Sequence, residues 1–205
     1  MFTRIARLPN VVRVFRVVRF VRLIQLASTL PFALAVPAWG AAAPLALSVE
    51  RVEGADGVKV YQIASSGTVA AAPAAVWRIL TDYEHMADYV PDLQSARVLS
   101  RDGNRVVLEQ QGGVQFLFFS RAIHLVVLVR EQAPNHIDVS LVDGDMKVYR
   151  ASWDLRAGAS GGTQIVYRAA IAPNFYVPAL VGTSIVRKDI ANMMRAVLQR
   201  LDRPD

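Results

Sequence analysis

The 205-residue chain contains no cysteine. No disulfide can brace it, and a domain placed in an oxidising compartment must be held by its core alone. Only three histidines are present, with no His-x-His, HExxH or cysteine pair, so metal binding lacks a recognisable donor set. Residues 1–40 contain no acid but carry six arginines (Arg4, Arg7, Arg13, Arg16, Arg19 and Arg22). With those six set aside, the 23 Lys and Arg fall to 17, against 17 Asp and Glu in residues 41–205. The basicity belongs to one end, and the neutral body lacks the broad basic face that nucleic acid requires. Ser120, Thr183 and Ser184 stand in no motif with His and Asp that would make a nucleophile. The glycines of "GASGG" (158–162) precede a strand and not a helix, so they form no phosphate cradle.

What is present begins with the leader. A positive start, an apolar stretch from Leu23 to Val36 and the small residues of "PAWGAAAP" follow the order of a secretory signal. Ala38 and Gly40 fit the small −3 and −1 positions, which predicts cleavage before Ala41; Val36 and Ala38 would serve a cleavage upstream of that. The predicted location is therefore exported, periplasmic or secreted. Three alternatives stay open: an uncleaved leader anchoring the protein, although the stretch is shorter than the ~20 residues of a spanning helix; a transit peptide, which is also Arg-rich and acid-poor; and a true start inside residues 1–40. Arginines three apart spiral around a helix and leave no amphipathic face, so they read as topology charge.

About 165 residues remain, enough for one domain, since ~150 residues bury roughly 70% of the chain surface. Residues 41–57 read as an N-terminal extension and 58–203 as the folded domain. "VKVYQIASSGTV" (58–69) predicts a strand. A helix follows with Pro73 at its first position, where a missing N–H costs nothing, and Val76, Leu80 and Tyr83 on its buried face. A second short helix spans His85 to Val90 and stops at Pro91. Turn signals at "RDGN" (101–104), "GG" (112–113), "APNH" (133–136), "DGD" (143–145) and "GASGG" then divide the chain into about six strands at hairpin spacing, an antiparallel meander. In 147–156, Tyr149, Ala151, Trp153 and Leu155 alternate with Arg150, Ser152, Asp154 and Arg156, so one face is wet; 163–171 repeats this with Ile165, Tyr167, Ala169 and Ile171 inward. The run "FLFFSRAIHLVVLV" (116–129) is apolar at both parities, and its inner face is not assignable. The last element is a helix from Pro178 to Leu201. Val186, Ile190, Met193, Val197 and Leu201 form its stripe, with Thr183 and Met194 at the edge and Lys188, Asn192 and Arg195 facing away. These elements bury their apolar faces together as an α+β fold, a curved sheet gripping the C-terminal helix.

The stretch "TDYEHMADYVPD" (81–92) concentrates acids, a histidine and two tyrosines. A metal site would need partners for His85, Asp82 and Asp88, and the other histidines lie on distant strands. Asp82 and Glu84 could do acid–base work only if buried, whereas charges beside a helix break are usually solvated. The reading adopted here is a wet face of Asp82, Glu84 and Asp88, with Tyr83, Met86 and Tyr89 turned inward. Trp77, Tyr149, Trp153 and Tyr167 are either core or pocket lining. Met193 and Met194 suit an adaptable apolar pocket, with core again the alternative. Arg187 borders the helix stripe, where it either reaches a ligand carbonyl or snorkels to water.

"APAAVWRILTDYEHMADYVPDLQSARVL", "GDMKVYRASWDL" and "TQIVYRAAIAPNFYVP" resemble the START-like helix-grip superfamily, in particular its polyketide cyclase/dehydrase and coenzyme Q-binding branch. The resemblance spans about residues 60–201. It implies a deep apolar cavity between sheet and C-terminal helix, with two short helices bordering the entrance, that holds a lipid, quinone or polyketide-like molecule. Cavity candidates are then Trp77, Tyr83, Met86, Tyr89, Tyr149, Trp153, Tyr167, Arg187, Ile190, Met193, Met194 and Val197, with Ile190 and Val197 entering from the helix stripe. Neither a metal, a cofactor nor a catalytic residue is expected. The expected partners are a hydrophobic small molecule and, for its exchange, a membrane surface. A cyclase/dehydrase-type enzyme is the rival reading and needs a perturbed acid or base inside the cavity. A ribosome-associated role, as in cytosolic relatives, is opposed by the neutral body and the leader.

Overall fold

The computed structural model describes residues 45–203 apart from 55–56, 117–118 and 159–160. The leader reading concerns residues outside this range. Among the described residues no helix is long and apolar enough to cross a membrane. Eight strands, β1 (Ala46–Glu53), β2 (Lys59–Val69), β3 (Leu93–Asp102), β4 (Arg105–Phe116), β5 (Phe119–Gln132), β6 (His136–Gly144), β7 (Met146–Ala157) and β8 (Thr163–Pro173), form one antiparallel sheet. Its order is β1-β2-β8-β7-β6-β5-β4-β3. Helix α1 (Pro73–Leu80) and a 3-10 helix (Tyr83–Asp88) follow β2, and helix α2 (Ala179–Leu201) closes the chain. The expected α+β architecture, a curved sheet around a long C-terminal helix, is what forms.

Local chemistry accounts for the element ends. Pro73 opens α1, and the Thr81 hydroxyl donates to the Trp77 carbonyl at 2.8 Å to close it. Val76, Leu80 and Tyr83 are buried as expected, but Tyr83 belongs to the next element, because the helical path tightens to 3-10 geometry two residues earlier than the expected His85. Helix α2 packs against β1 and β2. Gly67 permits that approach: a Cβ there would lie 2.5 Å from Leu198 Cδ1.

Four expectations change. Residues 46–53, read as part of an extension, form β1 and pair along β2 from Ala46↔Ser66 to Glu53↔Lys59, so two strands and not one precede the helices. The glycines 112–113 do not break the chain; they lie inside β4, where a Cβ on Gly112 would meet the Asp92 carbonyl oxygen at 2.5 Å. The run 116–129 is not a single strand, since β4 ends at Phe116 and β5 starts at Phe119; Ile123, Leu125, Val127 and Val129 are its buried parity. Met194 is not at the edge of the α2 stripe but fully buried, packed with Val49, Tyr61 and Tyr167 under the β1–β2 end of the sheet.

Candidate functional site

Between sheet, 3-10 helix and α2 lies a cavity of about 290 Å³. The helix contributes Asp189, Ile190, Met193 and Val197. Tyr149 and Trp153 of β7 and Tyr167 of β8 wall it from the sheet, and Tyr83, Met86 and Tyr89 from the 3-10 turn. Nine of the twelve candidates thus meet on one wall. The stretch 81–92 divides as read, with Asp82, Glu84 and Asp88 exposed on the outside.

Trp77, Met194 and Arg187 lie elsewhere. Trp77 follows Val76 by one residue, which rotates it ~100° from the inner face, and it packs on the outer part of the main core. Met194 is filled core. Arg187 neither reaches the cavity nor simply snorkels: its guanidinium donates to the Leu47 and Val49 carbonyls, each at 3.3 Å, along β1, the edge strand of the sheet.

Several wall residues were not read from the sequence. The buried side of β5 was one, although Ser120, His124 and Arg130 at even positions pointed to the odd ones as inner; Arg121 at odd parity obscured this. Gln110, Gly112 and Gly113 were hidden by the expectation of a chain break. Asp189 stands three residues after Val186 and four before Met193, so its place beside the apolar stripe was available. Asp92, at φ 64°, begins the β3 side of the wall.

The electrostatics of the wall are uniform in sign. Burial, then the nearby Asp92 carboxylate, raises the Asp189 carboxyl above the usual carboxylate range. Burial pushes the Tyr89 phenol up to about 12, and this hydroxyl is enclosed with no hydrogen-bond partner among the described residues. Burial raises Tyr149, and raises Tyr167 further with Tyr149 beside it. Tyr83 is also raised, by burial and by donating to Glu131 at 2.8 Å. No Ser, Thr, Cys, His, Lys or Arg lies on the described wall. The three histidines contact carboxylates at separate places: His85 and Asp82 at 2.7 Å, His124 and Glu109 at 3.1 Å, and His136 with Asp154 at 2.7 Å and Asp138 at 3.0 Å. The described wall is predominantly apolar, and Asp92 and Asp189 are its acids.

Residues 69–198 match the family described as polyketide cyclase / dehydrase and lipid transport. No curated protein matches the sequence. Solved structures of similar fold include a START superfamily protein from Mycobacterium smegmatis (16% identity, TM-score 0.60, covering 69% of this chain and 97% of that one). The Zhui aromatase/cyclase from a Streptomyces species is similar at 15% identity and TM-score 0.60, over 70% and 94% of the two chains. A STAR-related lipid transfer protein from Xanthomonas axonopodis is similar at 17% identity and TM-score 0.58, over 76% and 99%. At such identities the likeness is one of fold.

Proposed function

The chain belongs to the polyketide cyclase/dehydrase and lipid transport family, and from that premise we propose that it is an exported, noncatalytic carrier of one hydrophobic small molecule of lipid, quinone or polyketide-like class. The observation that carries the reading is the apolar chamber under α2, which holds no nucleophile–base pair among its described wall residues. Burying ~300 Å² of apolar ligand surface would contribute about 7 kcal/mol gross. Set against the lower range of association costs, ~4 kcal/mol, this leaves ~3 kcal/mol, weaker than millimolar, so a tighter complex needs a larger buried apolar area or polar contacts to the ligand head. Native mass spectrometry of the purified protein should reveal a stoichiometric apolar molecule, released on denaturation. Empty protein that also takes up no added lipid, quinone or aromatic polyketide would oppose the reading.

Export is supported by the acid-free leader and by the position of β1: strand structure begins at Ala46, so cleavage before Ala41 leaves every strand intact. N-terminal sequencing of the mature protein should begin between Trp39 and Pro44, and an intact Met1 on soluble protein would contradict export. Exchange at a membrane surface is supported by Tyr176 and Leu180, large apolar side chains 83% and 98% exposed where β8 passes into α2. Tyr176→Asp with Leu180→Asp should weaken co-sedimentation with phospholipid vesicles; unchanged co-sedimentation would remove this face from the account.

The cyclase/dehydrase reading rests on one observation, the raised Asp189 carboxyl on the cavity wall. It requires turnover of a bound polyketide-like substrate that Asp189→Asn abolishes while binding persists.

A further inference from the structure

Most buried tyrosine hydroxyls find a protein partner, as that of Tyr83 does in Glu131. Tyr149 and Tyr167 also wall the cavity, and among the described residues neither hydroxyl donates to a protein acceptor; the hydroxyl fully enclosed without a partner is that of Tyr89, across the chamber on the 3-10 side. Tyr167 is only 4% exposed, and its ring is fixed against Trp153, with centroids 4.5 Å apart and planes tilted by 47°. Tyr149 stands on the adjacent strand opposite Ile171, four residues along β8 from Tyr167, and its side chain comes near enough to act electrostatically on the Tyr167 phenol. A phenol on an apolar wall without a protein acceptor is a donor free for a ligand oxygen, and a ligand that excludes water without supplying one would leave it unpaired at a cost of ~1–3 kcal/mol. Both phenols are held neutral by burial, so they remain donors throughout the physiological range.

The remaining wall chemistry narrows the ligand. Tyr89 offers a further phenol, Gln110 an amide, and Asp92 and Asp189 carboxyls, with no cation on the described wall to receive an anion. A carboxylate brought into this chamber would be desolvated without a counter-charge and would face Asp92 and Asp189.

We propose that Tyr149 and Tyr167 form a neutral donor subsite, which selects uncharged apolar molecules bearing a carbonyl or similar acceptor oxygen and rejects anionic lipids such as free fatty acids. This inference rests on the carrier reading above and deepens it.

The test uses three probes of similar two-ring size in isothermal titrations with the whole purified protein: benzophenone, which has a carbonyl; diphenylmethane, which has none; and diphenylacetate, which is anionic. Benzophenone should bind at least about tenfold more tightly than diphenylmethane, and diphenylacetate most weakly. In Tyr149→Phe/Tyr167→Phe the ratio of ketone to hydrocarbon affinity should fall to within about twofold. If that variant does not fold, Tyr149→Phe alone is read in the same way, with a reduced ratio expected. Equal affinity of wild type for ketone and hydrocarbon, tightest binding by diphenylacetate, or an undiminished ratio in the phenylalanine variant would overturn the subsite and leave the carrier reading intact. Binding of none of the three would overturn the carrier reading, and the subsite with it.

Discussion

Asp189 carries a testable linkage between the site and stability. Its carboxyl, half-buried and close to Asp92, holds its proton more tightly in the folded chain than in the unfolded one, where a value of ~3.9 applies. Its favourable contribution is therefore complete below the unfolded value and is lost as pH rises through the folded one, so near neutrality the ionised group opposes folding. Asp189→Asn should raise the thermal midpoint at about pH 7.5, with the gain shrinking as the medium is acidified toward about pH 4.5. A gain that is independent of pH would assign the effect to something other than the buried charge. The inward turn of Tyr83, Met86 and Tyr89 was legible because a polar–apolar alternation across a helix break leaves few ways to bury three large side chains. The place of Asp189 beside the stripe was legible from its spacing to Val186 and Met193, but its burial was not, because nothing in the linear spacing distinguishes a carboxylate at the border of an apolar stripe from one in water.

At the scale of elements, alternation was informative where one sheet face is wet and silent where both are apolar. Strands β7 and β8 reveal their inner faces through Arg150, Arg156 and Arg168, whereas in β5 the outward Val126 and Leu128 are as apolar as the inward Val127 and Val129, and only the fold distinguishes them. The double glycine of β4 has the composition of a turn but serves a close approach, which depends on the backbone of Asp92, about twenty residues away in sequence. β1 escaped notice because five of its eight residues are exposed on an edge, so it lacks the apolar content of an interior strand. That edge is tied down by Arg187 through the Leu47 and Val49 carbonyls. Arg187→Ala should speed amide hydrogen exchange across β1 while leaving the β7–β8 pair unchanged. Unchanged exchange in β1 would mean that its pairing with β2 alone holds the strand.

Across the described residues, the eight strands and helix α2 enclose more apolar surface than their own side chains fill. The void lies between the inner face of β3–β8 and the flank of α2 that carries Asp189, Ile190, Met193 and Val197, while the flank of α2 around Met194 is tightly packed on β1 and β2. Met193, one residue before Met194, faces the void, so two adjacent methionines make opposite claims: one fills a core, the other lines a chamber. The central claim is that the chamber is space kept for a ligand, and Met193→Trp tests it most directly when thermal midpoint and displacement of a fluorescent lipid probe are read on the same sample. Overpacking a filled core costs ~1–3 kcal/mol, and ~1 kcal/mol shifts a domain of this size by roughly 2–4 °C. With the chamber empty, the tryptophan should leave the midpoint within a few degrees of wild type while probe affinity falls at least about tenfold, or ~1.4 kcal/mol. A large fall in midpoint with probe binding unchanged would show that Met193 is ordinary core and that this cavity is not where the ligand binds.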